Sequence, residues 1–265
     1  MSDDYSRCQA VAEEIAVQAG AVLLDAYGRV SAREKGPADL VTEADFASQK
    51  LIAERLHNAF PDHTLLAEEE GAETDFDAPW RWIVDPLDGT MNFAHGFPLW
   101  VVSIGLEHAG RLVVGVVYSP LTRQTFSASL GRGATLDGRP IRVSTVDRLE
   151  SSLIVTGLPT DFAADADRQT AYMRRFSTRT HSLRRTGTSA LNLALVAAGS
   201  CEVCYATAMH PWDAAAGVVL VREAGGFVSK FSGAPYDLYD GEILASNGRV
   251  HGPAVLALEE AWSVV

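Results

Sequence analysis

Five short runs rich in β-branched or alternating apolar residues fall between residues 64 and 128: Thr64–Ala67, Trp82–Val84, Val101–Glu107, Leu112–Tyr118 and Thr125–Ala128. Runs of this length and composition read as strands. Ala109-Gly110 and Asp137-Gly138 have the chemistry of tight hairpin corners, so the spacing predicts a largely antiparallel meander. Such a sheet needs cover for its apolar faces. Upstream, Cys8, Val11, Ala12, Ile15, Ala19, Val22, Leu23 and Ala26 recur at helical spacing, with Gly28 as a stop. A second helix begins at Thr42, where Thr42-x-x-Asp45 reads as a capping box, and runs through Phe46, Ile52, Leu56 and Phe60 until Pro61.

After about Ser144 the pattern changes to strands and helices in alternation. Strands are predicted at Leu153–Thr156, Glu202–Tyr205, Phe227–Ser229 and Ile243–Ala245, and helices at Arg168–Ser177, Thr188–Ala198 and Trp212–Ala224, the last ending at Gly225-Gly226. The fold class is α+β, with a mainly antiparallel sheet in an N-terminal half, residues 1–144, and an α/β layer in a C-terminal half, residues 145–265. No repeat or low-complexity linker separates the halves, which are expected to be tightly joined.

The net charge is −12 and no run of lysine and arginine could track a phosphate backbone, which argues against nucleic acid as the main partner. An acidic chain repels a phosphate ester unless the site supplies positive charge, and bound divalent cations would do so. Residues 1–7 are polar, and no run approaches membrane-spanning length, so no membrane association and a cytoplasmic location are expected. Cys8, Cys201 and Cys204 form an odd set that suits a reducing compartment. Cys201-Glu-Val-Cys204 lacks a second ligand pair for zinc, and its apolar neighbours read as a strand rather than the start of a redox helix.

Chemistry concentrates in Arg81-Trp82-Ile83-Val84-Asp85-Pro86-Leu87-Asp88-Gly89-Thr90. An apolar strand ends in a carboxylate, a proline breaks the ladder, and a second carboxylate follows three residues after the first. Like charges so placed raise each other's pKa and cost stability unless a cation compensates. A solvated acidic turn is the plainer reading of this motif alone. Leu65-Leu66-Ala67-Glu68-Glu69-Glu70 is a second apolar run into acids, and Trp212-Asp213-Ala214-Ala215 puts an acid in the first turn of a helix, where it could simply be a cap. Oxygen ligands from several element ends, without a matching His or Cys set, are what Mg²⁺ or Mn²⁺ prefers.

Asp85-Pro-Leu-Asp88-Gly-Thr90-Met-Asn-Phe, with Ala67-Glu68-Glu69 before it and Pro211-Trp212-Asp213-Ala-Ala-Ala-Gly217 after it, resembles the inositol monophosphatase family of Mg²⁺-dependent, lithium-sensitive phosphatases. Asp39-Leu-Val-Thr42-Glu-Ala-Asp45, Gly187-Thr188-Ser189-Ala190 and Arg222-Glu-Ala-Gly225-Gly226 follow the family's order, so the resemblance covers nearly the whole chain. It implies a layered αβαβα sandwich and a phosphoric monoester hydrolase holding two to three Mg²⁺ ions, with Mn²⁺ possible.

By that resemblance Glu68, Asp85 and the Leu87 carbonyl hold the first ion; Asp85, Asp88 and Asp213 hold the second; and a third rests on Glu68. Most of these ligands lie in the N-terminal half, with Asp213 and the substrate-facing residues in the other. Thr90 and Asp45 form a hydroxyl–carboxylate pair that orients the attacking water for direct in-line attack. Glu68 shares in catalysis, and Asp88, Gly89, Thr90, Gly187, Thr188, Ser189, Ala206 and Asp213 face the substrate. Members specific for inositol phosphates carry a glutamate seven residues before the aspartate of the Trp-Asp pair; here that position is Ala206, whose methyl accepts no ring-hydroxyl hydrogen bonds. Ser189 and Arg184 are candidates to compensate.

Inositol 1-phosphate is the first expected substrate, with fructose 1,6-bisphosphate, histidinol phosphate and other sugar or nucleotide phosphates as alternatives. A homodimer is expected. The spacing Asp85-x-x-Asp88 with Pro86 between does not suit an aspartyl-nucleophile phosphatase of the haloacid dehalogenase type. A non-catalytic metal-binding partner protein is the rival from a different class, and it would need neither Thr90 nor Asp45.

Overall fold

Residues 2–29, 32–36, 39–69 and 78–262 are described by the computed structural model, and among them seven α-helices and fourteen strands follow one another. In chain order these are α1 (Ser2–Ala26), β1 (Ala32–Gly36), β2 (Asp39–Thr42), α2 (Glu43–Ala59), β3 (Thr64–Ala67), β4 (Trp80–Asp88), α3 (Thr90–Ala94), β5 (Val101–His108) and β6 (Arg111–Ser119). The chain continues through β7 (Gln124–Ser129), β8 (Ala134–Leu136), β9 (Arg139–Ile141), β10 (Leu153–Gly157), α4 (Ala166–Arg179), β11 (Ser182–Arg185) and α5 (Ser189–Ala197). It ends with β12 (Val203–Ala206), α6 (Pro211–Glu223), β13 (Phe227–Ser229), β14 (Ile243–Ser246) and α7 (His251–Trp262).

Strands β3 to β9 form one seven-stranded sheet in sequence order; β3 and β4 are parallel and every later pair is antiparallel. Both predicted corners are real, with Ala109 and Gly110 at φ 50° and 75°, and Asp137 and Gly138 at φ 52° and 74°. Two successive positive φ values suit the right-handed twist of the flanking strands. A second sheet has the order β11-β10-β12-β14-β13: its first three strands are parallel, and β14 runs antiparallel to its neighbours β12 and β13. The α/β pattern of the second half is therefore mixed rather than wholly parallel.

Side-chain alternation sorts the residues into layers. On β4, Trp82 and Val84 face Ile15, Leu23, Ile52 and Leu56 of α1 and α2, whereas Ile83 faces the cluster of Leu193, Val196, Val218 and Val221 on α5 and α6. The strand is covered on both faces, which is why its sequence is a continuous apolar run rather than an alternating one. The smaller sheet repeats the device: Val155, Cys204 and Ala245 join the α5/α6 cluster, while Ile154, Val203 and Leu244 pack with Tyr172 and Phe176 of α4 and Ala254 and Leu258 of α7. The result is the expected αβαβα order, with α5 and α6 as the shared middle layer.

Helix α6 sits unusually close to the larger sheet. Gly105 and Gly115 are cross-strand partners on β5 and β6. A Cβ on Gly105 would stand 2.7 Å from the Ala215 Cβ, and one on Gly115 would run into the Ala216 backbone. Two glycines facing the small residues of α6 are what let backbone approach backbone.

The structure corrects one local expectation. Proline does not end the strand: β4 continues through Pro86 to Asp88. Its pairing with β5 runs Asp85↔Ser103 and then Asp88↔Val101, so three steps on one strand oppose two on the other. Pro86 has no N–H for the ladder, and a bulge accommodates it. Strands β1, β2, β8, β9 and β11 and helix α7 have no counterpart in the sequence reading, whereas α3 begins where Gly89-Thr90 looks like a helix start; Glu70 lies outside the described residues. All three cysteines are free and buried, and burial pushes the Cys201 thiol up to about 11. No helix among the described residues is long and apolar enough to cross a membrane.

Candidate active site

The β4 bulge aims its two acids. Leu87 N–H donates to Asp85 Oδ1 at 3.0 Å, and Ser48 Oγ of α2 donates to the Pro86 carbonyl at 2.8 Å. Gly89 then turns the chain at φ 101°, with no room for a Cβ beside the Leu99 carbonyl oxygen at 3.0 Å. Thr90, the first residue of α3, has its Oγ1 3.0 Å from Asp45 Oδ1 and 3.0 Å from the Leu87 carbonyl oxygen. One hydroxyl proton serves either acceptor, not both at once. Asp45 is fully buried in the first turn of α2, where its Oδ2 also accepts from Thr42 N–H at 2.9 Å and Thr42 Oγ1 at 2.6 Å. The predicted capping box is present. Burial raises the Asp45 pKa, and the hydrogen bonds from Thr42 and Thr90 oppose that rise.

Asp88 is received by the N-terminus of α5. Its carboxylate accepts from Thr188 Oγ1, from Ser189 N–H at 3.1 Å and from Ala190 N–H at 2.7 Å. Thr188 is itself the N-cap of α5 and is buried. An anion at a helix N-terminus meets unpaired N–H groups and the positive end of the dipole. Burial pushes Asp88 up to about 6, and these hydrogen bonds limit the rise. Asp213, in the first turn of α6, accepts from His210 N–H at 2.7 Å, and burial first, then Asp88 and Glu68, raises its pKa well above the carboxylate range. Asp85 is raised in the same way by burial, then by Glu68, Asp88 and Asp213.

One oxygen from each of Asp85, Asp88 and Asp213 lies within 4.8 Å of the other two. Glu68 follows β3, its N–H on the Val84 carbonyl at 3.2 Å, and shares with Asp213 the wall of a cavity of about 320 Å³. Among the described residues, no lysine or arginine lines that cavity. Hollows of about 450 and 670 Å³ lie beside α4/α7 and α1/β7, away from the acids. Carboxylate chemistry, not size, therefore locates the site. Clustered carboxylates with no cationic side chain beside them among the described residues, all oxygen donors, fit a hard divalent cation.

Gly157, Leu158, Thr160 and Ser189 continue the cavity into a neighbouring one of about 370 Å³, which Gly187 and Arg185 also line. Ala206 is buried at the end of β12; a Cβ built on Gly157 would stand 3.2 Å from the Ala206 Cβ and 3.3 Å from Ser189 Oγ. Arg184 turns back on Ser182 and the Leu183 carbonyl and lines neither cavity. Ser48, Gln49, Asn92 and His210 also take part and were not singled out from sequence. Asn92 Nδ2 bonds the Leu99 and Thr186 carbonyls at 2.7 and 2.8 Å, and His210 stacks on Trp212 at the cavity wall. For Ser48 and Gln49 a signal existed: they are polar residues three and four positions after Asp45, on the face that α2 must bury.

A model of the inositol monophosphatase family matches residues 4–263. An inositol-1-monophosphatase of Synechocystis is 44% identical over 243 residues, covering 91% of this chain and 85% of that protein. A protein of Escherichia coli K12 named Nus factor SuhB is 39% identical over 221 residues, covering 83% of each. Among solved structures, the extragenic suppressor protein suhB of Bartonella henselae superposes with a TM-score of 0.91 at 38% identity, covering 96% of this chain and 99% of that one. The inositol monophosphatase of Anabaena gives 0.89 at 38% identity, with 97% of each chain covered.

Proposed function

The chain belongs to the inositol monophosphatase family and is a phosphoric monoester hydrolase; from that premise we propose that it releases phosphate from a small monoester, inositol 1-phosphate first, using two to three Mg²⁺ ions, with Mn²⁺ as an alternative. The observation that carries this reading is the trio of carboxylates within 4.8 Å, Asp85 and Asp88 buried and Asp213 half-buried, with no cationic side chain among the described residues of the cavity wall. Glu68, Asp85 and the Leu87 carbonyl would hold one ion, Asp85, Asp88 and Asp213 the second, and Glu68 a third. Such ions, when bound, neutralise the acids, attract the phosphate and lower the pKa of the attacking water.

The chain's own groups do the rest. Asp45 holds the Thr90 hydroxyl, and the pair positions the water and accepts its proton, with Asp45 Oδ1 as the sink. Thr188 and the first α5 amides keep Asp88 oriented and favour its ionised form. The Gly89 and Thr90 N–H groups bind the phosphate, while Gly187, Ser189 and Ala206 border the leaving group. The absence of a carboxylate at Ala206 favours broader specificity, extending to fructose 1,6-bisphosphate and histidinol phosphate.

The net charge of −12 favours a small substrate over nucleic acid as the main partner. A homodimer, lithium sensitivity and a cytoplasmic location complete the proposal. A second reading, a partner role alongside or instead of turnover, is favoured by the relatives named Nus factor SuhB. The test is phosphate release by purified protein with Mg²⁺ from inositol 1-phosphate, fructose 1,6-bisphosphate and histidinol phosphate, with Asp88→Asn as control. Release that Asp88→Asn abolishes supports the hydrolase mechanism; metal binding with no release from any ester supports the partner reading.

A further inference from the structure

Helix α2 presents a polar edge to the site where a core-facing helix would be apolar. Asp45, Ser48 and Gln49 fall at i, i+3 and i+4, share one face and are all buried. Each engages a different piece of acid-bearing chain: Asp45 meets Thr90, Ser48 meets the Pro86 carbonyl inside the bulge, and Gln49 meets Glu69.

The Gln49 contact differs from the other two in kind. Its Nε2 donates to the Glu69 carbonyl at 3.0 Å, and its Oε1 accepts from the Glu69 N–H at 2.9 Å. An amide that both donates to and accepts from one residue's main chain imitates the pairing a neighbouring strand would give. It therefore fixes the direction of the Glu69 backbone as well as its place. The pairing of β3 with β4 reaches Ala67↔Val84, and Glu68 N–H on the Val84 carbonyl extends it by one hydrogen bond. Glu68 thus stands between that last bond to β4 and the Gln49 clasp, with its backbone fixed on both sides.

We propose that Gln49 is a positioning residue for the cation site, orienting Glu68 toward the ion it would share with Asp85. This rests on the reading of Glu68 as a ligand. A plainer role is loop anchorage: a buried glutamine that satisfies two main-chain groups and stabilises the fold without reaching the ion. Both roles lower the melting temperature when the amide is removed, so stability alone does not separate them. Affinity for the ion does, because partners that orient a ligand typically change metal affinity by about 10–100-fold when removed.

The deciding experiment is calorimetric titration of metal-free protein with Mn²⁺, at a temperature where circular dichroism reports the native fold, for wild type, Gln49→Met, Gln49→Glu and Glu68→Gln. Gln49→Met keeps the length of the side chain and removes both hydrogen bonds; it is expected to weaken Mn²⁺ binding at least tenfold. Gln49→Glu keeps an acceptor for the Glu69 N–H, loses the donor, and is expected to fall between wild type and Met. It also serves as the test if the Met variant does not fold. Weak binding in Glu68→Gln with wild-type affinity in the folded Gln49 variants overturns the inference and leaves Glu68 as a ligand. Wild-type affinity in Glu68→Gln overturns the ligand reading, and the inference with it.

Discussion

At the start of β4, Arg81 meets Glu107 of β5 at 2.6 Å, and the Tyr239 hydroxyl stands 3.1 Å from Arg81 and 3.3 Å from Glu107. At the far end of the same strand, Asp85 and Asp88 crowd against Asp213. Both ends bury charge, since Arg81, Glu107, Asp85 and Asp88 are all buried. The first end supplies the opposite charge from the chain itself; at the second, with pKa values driven upward, no cationic side chain among the described residues does so. A chain that solves the burial of charge at one end of a strand has the means to do so at the other. The unsolved end is therefore read as a demand for something from outside.

Substitutions at the two ends should separate activity from stability, and the largest effect is expected at the acid end. Asp85→Asn should lower kcat on the order of 10³-fold or more, since a catalytic ion supplies several kcal/mol, while the metal-free protein melts no lower than wild type because one repulsive charge is gone. A lower metal-free melting temperature would mean that Asp85 is compensated after all, and the contrast would collapse. Arg81→Met should do the reverse: about 3–5 kcal/mol of stability lost by leaving Glu107 buried without its counter-charge, seen as a drop of roughly 10 °C in Tm, with kcat of the folded enzyme within about twofold of wild type.

A smaller effect comes from the ion itself. Mg²⁺ at 100 times its dissociation constant should stabilise the wild type by about 2.7 kcal/mol, and Asp85→Asn should respond far less. The smallest effects are pH-dependent. The raised Asp88 pKa, about 6, means that metal-free folded protein holds a proton the unfolded chain has released, so stability from this group grows as pH falls from about 6 towards 4. His251 acts with the opposite sign. It is buried with both ring nitrogens 2.8 Å from serine hydroxyls, Ser229 and Ser246, and burial lowers its pKa, so its contribution is present above pH 6.5 and lost as pH falls. In Asp88→Asn the acid-side gain should shrink to what the other raised carboxyls, Asp85 and Asp213, still supply and leave the His251 loss more exposed. Thermal melts of both metal-free proteins between pH 7.5 and 5 check this.

Much of the architecture was legible because it is written locally. The corners at Ala109-Gly110 and Asp137-Gly138 need particular backbone angles, and helical spacing from Cys8 to Ala26 leaves little choice. The acids were legible because apolar strands rarely run into carboxylates without cause. Strand β11, Ser182–Arg185, carries two exposed arginines and no strand pattern; parallel pairing with β10 makes it a strand. Helix α7 begins His251-Gly252-Pro253, and Gly252-Pro253 reads as a break, although proline is tolerated in a first helical turn. The continuation of β4 past Pro86 depends on a register with β5 that no window of sequence contains. Thr188 could be assigned to a helix start, but its bond to Asp88 joins residues 100 apart and emerges only when the two sheets close on the same middle layer.

The bedding of α6 on Gly105 and Gly115 bears on which ion the cluster can accept. Asp213 rides on the first turn of that helix, while Asp85 and Asp88 belong to the sheet beneath it. With backbone already against backbone, the helix cannot sink further, and Leu193 of α5, packed on Gly217, holds it from the other side. The gap between helix-borne and strand-borne oxygens thus behaves as a fixed gauge. An ion content with oxygens at about 2.1 Å suits such a gauge, whereas one that needs about 2.4 Å and more ligands would have to pry apart a helix and sheet already in backbone contact.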